Sequence, residues 1–81
     1  MGSEEQKFGR VLHRLRRQRG LAQDDFAFKC GMSASAISKI ERGLKSPKLD
    51  TIFRIAKALD IQPAELIAAV QLEIAADPRS Y

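Results

Sequence analysis

The sequence has very few of the residues on which most catalytic and metal sites depend. It contains one cysteine, Cys30, one histidine, His13, and no tryptophan among 81 residues. A lone cysteine excludes an internal disulfide, and one histidine argues against an ordinary metal site or a Cys/His catalytic pair. The sequence also lacks a carboxylate cluster and a glycine-rich phosphate loop. We therefore expect no enzyme activity, no metal and no cofactor, and we interpret Cys30 as a small core residue.

Long hydrophobic runs are missing as well. No stretch of about 18 apolar residues is present, as a membrane-spanning helix would require. The N-terminal segment MGSEEQK has no hydrophobic signal region. The length favours one domain, residues 1–81. These features predict a cytoplasmic protein with no membrane partner.

Charge is distributed unevenly along the chain. Residues 1–45 hold ten Lys or Arg and five Asp or Glu, whereas residues 46–81 hold four and five. The basic surplus in the first part favours a polyanionic partner on one side of the molecule. A solvated basic helix explains the same charges equally well.

Apolar spacing at i, i+3 and i+4 predicts five helices and no strand, which makes the protein all-α. Ser3 and Ser33 are good N-caps, whereas Ala22 and Gln62 leave the second and fifth helices without a good one. The apolar face of the fourth helix is predicted to comprise Leu49, Ile52, Phe53, Ala56 and Leu59. The predicted helices span about Ser3–Arg19, Gln23–Cys30, Ser33–Gly43, Lys48–Leu59 and Pro63–Ala76, followed by a short, frayed DPRSY tail.

The segment 23–42 has the pattern of a helix-turn-helix unit. Ala27 lies where the two helices meet, and Gly31 lies at the turn, where a positive φ is required. Ile37 and Ile40 are spaced as the buried anchors of the second helix. As a bare pattern this is only moderately specific, because many helical hairpins share it.

The flanking segments RGLAQDDFA, ISKIERG, SPKLDTIFRIAKAL and PAELI make the match more specific. From Phe8 to Ile67 the chain resembles the Xre-type, phage-repressor-like family of helix-turn-helix proteins. The resemblance implies a compact five-helix, lambda-repressor-like fold and a sequence-specific regulator of transcription, bacterial or phage-encoded and associated with the nucleoid. Phage repressors, antitoxins and restriction–modification controller proteins are all candidates, and the compact form is most similar to the controller proteins.

The resemblance also implies roles for individual residues. The family positions that match Ala34, Ser35 and Lys39 read bases, with Ser38 beside them, and Gln23 resembles a phosphate-clamping glutamine. Arg42, Lys45 and Lys48 flank the following loop and are further phosphate candidates, with Arg10 and Arg14 weaker ones. Simple solvation is the alternative for all these surface side chains. The resemblance further implies a structural ion pair between Arg16 and Glu41.

The fifth helix is apolar on two sides, which predicts a homodimer. One stripe, including Ile67, can close the core, and the other surface contains Leu72 and several alanines. An ordinary exposed Leu72 is the alternative. The rival function is a protein-interaction module that uses this helix and keeps the helix-turn-helix as a scaffold. The predicted interface residues are Leu66, Ala68, Val70, Leu72, Ile74 and Ala75.

Overall fold

The computed structural model describes residues 3–77, and within that range it contains five α-helices and no strand. The all-α prediction and the order of the helices are confirmed. The predicted DPRSY tail falls almost wholly on residues 78–81, outside the described range, and its first residue, Asp77, is the C-cap of α5. The helices are α1 (Glu4–Gln18), α2 (Gln23–Cys30), α3 (Ala34–Glu41), α4 (Leu49–Ala58) and α5 (Pro63–Ala76).

Serine side chains begin two of the helices, as predicted. The Ser3 hydroxyl accepts a bond of 3.2 Å from the backbone N–H of Gln6, and the Gln6 side chain accepts one from the backbone N–H of Ser3. Ser33 accepts from the backbone N–H of Ala36 at 3.1 Å. Ala22 gives α2 no side-chain cap. The start of α2 therefore keeps backbone donors that no side chain satisfies.

The C-terminal end of α1 is tied to α4. Gly20 follows α1 with φ of 66°, the left-handed conformation that commonly ends a helix. The Nε of Arg19, the C-cap of α1, donates a bond of 2.6 Å to the backbone oxygen of Leu59. This bond satisfies a carbonyl at the end of α4 that has no partner within its own helix.

The core lies where the five helices meet. α1 packs against α3 and α5, α2 against α3 and α4, and α4 against α5. α1 is therefore in contact with both the second helix of the helix-turn-helix unit and the C-terminal helix. The buried apolar residues are Phe8, Val11, Leu12, Phe26, Ala27, Cys30, Ile37, Ile40, Ile55, Ala56, Leu59, Leu66 and Val70.

The buried side of α4 differs from the prediction. Ile55 is completely buried, whereas Leu49 and Phe53, which the apolar spacing places in the core, are 71% and 54% exposed. Ala56 and Leu59 are buried as predicted, and Ile52 packs partly against the core. The apolar arc of this helix is wider than the face that its neighbours cover. Spacing alone does not determine which edge of such an arc stays outside.

Cys30 is a core residue, as predicted, and only 4% of it is exposed. Burial raises the pKa of its thiol to about 11. Cys30 therefore remains a neutral thiol at physiological pH, which is the unreactive form.

Candidate nucleic-acid interface

A glycine turn sets the orientation of α3 on the rest of the molecule. Gly31 adopts φ of 68°, and the next N–H, that of Met32, returns to the carbonyl oxygen of Ala27 at 2.9 Å. A side chain with a Cβ would be strained in this left-handed conformation. Ile37 and Ile40 then fix the inner side of α3, with 0% and 1% of each residue exposed. The opposite side of α3 is consequently held toward the outside in a defined direction.

That outward side carries the predicted base-reading residues. Ser35 and Lys39 are exposed, and within residues 3–77 neither side chain makes a hydrogen bond or ion pair. Ser38 is half-buried. Ala34 is half-buried because it packs against the edge of the core. The structure brings all four to one helix but leaves only Ser35 and Lys39 fully on its open side.

Cations follow directly after this helix. Arg42 is the C-cap of α3, and its Nε makes only a 3.4 Å bond to the backbone oxygen of Ser38. Lys45 and Lys48 are exposed on the loop to α4. Across the described part of the chain, none of these three side chains pairs with an acid. Their charges remain available to a polyanion beside α3.

The Gln23 side chain is held in place by a hydrogen bond and is not a free surface residue. It is half-buried at the start of α2, and its Nε2 donates a bond of 3.1 Å to Oε1 of Glu41. An amide nitrogen carries two hydrogens, so one remains for a second acceptor. The uncapped N–H groups at the start of α2 lie beside it. Gln23 can thus contact a phosphate while it is held in position by Glu41.

Arg16 and Glu41 form the ion pair that the family resemblance implies. Arg16 Nε lies 2.6 Å from Oε2 and Nη2 lies 3.2 Å from Oε1 of the carboxylate, and the side chains are 6% and 4% exposed. Arg16 Nη1 also donates to the backbone oxygen of Leu21 at 2.6 Å. The pair joins α1 to the last residue of α3, next to the predicted DNA contacts.

Glu41 has two further donors that the sequence analysis did not identify. His13 Nδ1 lies 3.0 Å from Oε1, the same oxygen that Gln23 contacts. Burial alone would raise the pKa of Glu41, but the hydrogen bonds from Arg16, His13 and Gln23 outweigh it. The pKa of this carboxyl therefore lies below its ordinary value of 4.5. The three-residue spacing of His13 and Arg16, which puts both on one side of α1, was the available signal.

Glu73 of α5 and Asp77, the C-cap of that helix, pair with cations of α1. Glu73 accepts from Nη1 of Arg10 at 3.4 Å and from Nη1 of Arg14 at 3.1 Å. Lys7 is 2% exposed, and its Nζ donates to Asp77 at 2.5 Å. Arg14 is therefore a poorer phosphate candidate than its charge suggests. The sequence did not predict a buried Lys7, because its partner is 70 residues away.

Gly9 allows α1 to approach the end of α3 very closely. A Cβ at this position would lie 2.4 Å from the backbone oxygen of Ile40 and 2.5 Å from that of Glu41. Contacts this short do not occur between a side chain and backbone atoms, so a larger residue would move one helix. The absence of a side chain at Gly9, which the sequence did not predict to matter, allows the end of α3 to pack at its observed distance from α1.

The predicted dimer interface on α5 requires correction. Leu66 is fully buried and Val70 is 8% exposed, because both close the core of the single chain. They cannot present a surface to a partner. Ile74 is half-buried against the same core. Ala68, Leu72 and Ala75 are exposed, and they are joined there by Ile67, which is 46% exposed.

Two observations on residues 3–77 concern membranes and metals. Among residues 3–77, no helix is long and apolar enough to cross a membrane. In the same part of the chain, no three His, Cys, Asp or Glu side chains are grouped so that they could hold a metal ion.

The sequence of this chain is similar to those of known helix-turn-helix proteins. A family model described as helix-turn-helix matches residues 12–66. Control protein C.BamHI of Bacillus amyloliquefaciens is 38% identical over 61 residues, which cover 74% of this chain and 75% of that protein. The HTH-type transcriptional regulator y4dJ of Sinorhizobium fredii, itself uncharacterised, is 37% identical over 54 residues, covering 67% and 70% of the two chains.

Solved structures give the same result. The restriction-modification controller protein C.AhdI from Aeromonas hydrophila superposes with a TM-score of 0.74 at 42% identity, over 76% of this chain and 94% of that one. The wild-type controller protein C.Esp1396I gives a TM-score of 0.86 over 95% and 100% of the two chains. Its identity is only 23%, so this second likeness concerns the fold.

Proposed function

Because the chain belongs to the helix-turn-helix family and is a sequence-specific DNA-binding regulator of transcription, we propose that it acts as a homodimer on a palindromic operator near a promoter. The observation that carries this proposal is the outward side of α3. Ile37 and Ile40 anchor the helix from behind, while Lys39 is left without a partner inside residues 3–77. Cations with no acid partner in that range follow at the end of the helix. In this arrangement α3 enters the major groove and the loop after it contacts the backbone.

Base recognition is carried by small side chains and one long one. Ser35 and Ser38 offer hydroxyls that act as donor or acceptor, the Ala34 methyl fits against a thymine methyl, and Lys39 reaches guanine O6 or N7. Gln23, Arg42, Lys45 and Lys48 contact phosphates and fix the register. Because direct contacts of this kind are few, much of the specificity comes from DNA shape and bending.

The exposed surface of α5 is suited to a second copy of the chain. Ala64, Ala68 and Ala75 form a line of small, exposed side chains along the helix. Ile67 and Leu72, which are 46% and 71% exposed, lie on either side of that line. Small residues let two helices approach closely, and the flanking apolar side chains then become buried. A two-fold dimer of this kind places two recognition helices about 34 Å apart, one turn of DNA.

Selection of bound duplexes from a random pool, followed by sequencing, tests the proposed function. We expect a palindrome whose half-sites are about one helical turn apart. Recovery of duplexes without any common sequence would contradict the proposal. That result would favour the rival function, a protein-interaction module in which the helix-turn-helix serves only as a scaffold.

The biological setting that we propose is control of a restriction–modification system. Control protein C.BamHI and controller protein C.AhdI, the relatives described above, match this chain at 38% and 42% identity. A setting of this kind places the protein in the bacterial cytoplasm with the nucleoid. Genes for a nuclease and a DNA methyltransferase beside its own would be expected, and a promoter among them should carry the selected palindrome.

A further inference from the structure

A polar groove of about 420 Å³ lies between α1 and the C-terminal end of α3. Arg10 and Arg42 contribute positive charge to its lining. The buried Glu41 carboxylate in its lining is already paired with Arg16, whereas Arg42 has no acid partner within residues 3–77. Arg10 is 65% exposed, and its contact with Glu73 is long, at 3.4 Å. The groove therefore attracts an anion. Its lining consists of Gln6, Arg10, His13, Glu41 and Arg42.

His13 is oriented in this groove by Glu41. An ionised carboxylate accepts hydrogen bonds only, so the His13 Nδ1 that lies 3.0 Å from Oε1 carries a hydrogen. The other ring nitrogen, Nε2, then determines what the histidine can bind. In the neutral ring Nε2 is an acceptor and repels a phosphate oxygen, whereas in the protonated ring it is a charged donor. The side chain is 52% exposed, so a ligand can reach it.

The groove is continuous with the proposed phosphate-binding residues. Gln23 donates to the same carboxylate oxygen as His13, so the two side chains lie next to each other on either side of Glu41 Oε1. Arg42, at the end of α3, lines the groove from the other side. The groove therefore adjoins two residues that are proposed to contact the DNA backbone, Gln23 and Arg42.

We propose that the groove binds a backbone phosphodiester of DNA and that His13, in its protonated form, is a donor to that phosphate. This inference rests on the proposed DNA-binding function. Several charged groups face the histidine: Arg10 and Arg16 of α1, with Arg16 Nη2 at 3.3 Å from Nδ1, and Glu41 and Arg42 at the end of α3. From α2 only the uncharged Gln23 lies beside Glu41. A phosphate that enters the groove adds negative charge beside the ring, and a nearby negative charge favours the protonated form of an imidazole.

The chain has a single histidine, which makes the proposal directly testable. The probe is a fluorescein-labelled duplex that carries the site recovered by selection, titrated by anisotropy at about pH 8 and about pH 5.5, the range in which imidazole changes charge. For the wild-type protein we expect affinity to rise about tenfold at the lower pH, because a charge-assisted contact is added. The slope of log affinity against log salt should steepen by about 0.9 for each phosphate gained.

Two variants separate His13 from other titrating groups, including the α-amino group. His13→Gln keeps a donor for Glu41 and should bind with nearly the same affinity at both pH values. His13→Lys carries a permanent charge and should bind tightly at both. A rise with falling pH that persists in His13→Gln would overturn the inference, as would wild-type binding that does not change with pH.

Calorimetry on the wild-type protein gives a measurement that needs no variant. DNA binding near pH 7 in buffers of different ionisation enthalpy should show uptake of a fraction of a proton per chain. Tight, sequence-specific binding without proton uptake overturns the role of His13 and leaves the proposed function intact. Absence of binding to any duplex would instead overturn the proposed function and, with it, the phosphate groove.

Discussion

At the scale of single residues, Glu41 joins three helices through one carboxylate. It receives hydrogen bonds from α1 through Arg16 and His13 and from α2 through Gln23. It is also the last residue of α3. One carboxylate therefore fixes the end of α3 relative to both α1 and α2.

Replacement of Glu41 by alanine should strongly destabilise the protein. Its removal leaves the buried Arg16 guanidinium unpaired, so we expect a loss of about 3–5 kcal/mol in the free energy of unfolding, measured by urea titration. Glu73→Ala is the matched control. Glu73 pairs with Arg10 and Arg14, which are 65% and 46% exposed, so its removal should cost less than about 1 kcal/mol. If Glu41→Ala unfolds no earlier than wild type, the ion pair is not structural.

The low pKa of Glu41 predicts a loss of stability in acid. A carboxyl whose pKa is lower in the folded than in the unfolded state contributes stability that is fully present above the unfolded value, here about 4.5. This contribution disappears as pH falls below that value and through the folded pKa. Thermal unfolding followed between about pH 6 and pH 3 should show the decline. Glu41→Gln should be less stable at the upper end and show a shallower decline.

Recognition of the operator bases is also predicted to depend on single residues. With Ser35 and Lys39 replaced by alanine together, we expect overall affinity to fall, because Lys39 loses its base contact. Discrimination between the selected site and an unrelated duplex should be retained, since DNA shape carries it, whereas changes at base pairs outside the α3 contacts should abolish it. Competition binding with both duplexes measures the ratio. If the double variant loses all discrimination, readout is direct.

At the scale of elements, the position of α3 depends on how closely α1 can approach it. In an exposed helix, Gly→Ala gains roughly 1 kcal/mol. At Gly9 the new methyl group would meet the carbonyl oxygens of Ile40 and Glu41. We expect Gly9→Ala to lower the free energy of unfolding by about 1–3 kcal/mol and to weaken DNA binding. Gln18→Ala, at the exposed end of the same helix, is the control and should be neutral or slightly stabilising. A stabilised Gly9→Ala protein would show that the helices can separate freely.

The helices themselves could be predicted because their signals are local. Ser3 and Ser33 cap their helices, and Gly31 adopts the expected positive φ. The buried side of α4 could not be predicted, since both edges of its apolar arc satisfy the same spacing and only the neighbouring helices cover the edge with Ile55.

The candidate site was predictable to a similar extent. The positions of Lys39 and Arg42 follow from the period of α3 once Ile37 is taken as buried. The contacts of Lys7, Arg10 and His13 did not follow, because their partners are distant in sequence and lie on other helices. On α5 the residues predicted for the core and for the dimer interface overlap, and Leu66 and Val70 were therefore wrongly assigned to the interface. Only the packing of α1 and α4 against α5 shows that both residues belong to the core.

At the scale of the whole molecule, the proposed dimer depends on the exposed side of α5. Leu72→Asp places a charge on this side without disturbing the core, since Leu72 is 71% exposed. Sedimentation at concentrations on the order of tens of micromolar should show a dimer for wild type and a monomer for the variant. The monomer should keep its helical content but bind the operator much more weakly, because each chain then contacts only one half-site.

Phe28→Asp is the control for this experiment. Phe28 is 86% exposed, and it lies on α2, away from the proposed interface. The control should remain dimeric. A wild-type protein that sediments as a monomer in the same range would contradict the dimer, and the selected site would then be expected to be a single half-site.

In α3 the residues that anchor the helix are different from those on its exposed side. This arrangement affects how such a regulator can change over evolutionary time. Ile37 and Ile40 hold the helix, whereas Ser35 and Lys39 are exposed and have no partner inside residues 3–77. Substitutions at the latter two positions cost the fold little. New operator preferences can therefore arise, or be introduced by design, one substitution at a time, and each intermediate variant still folds.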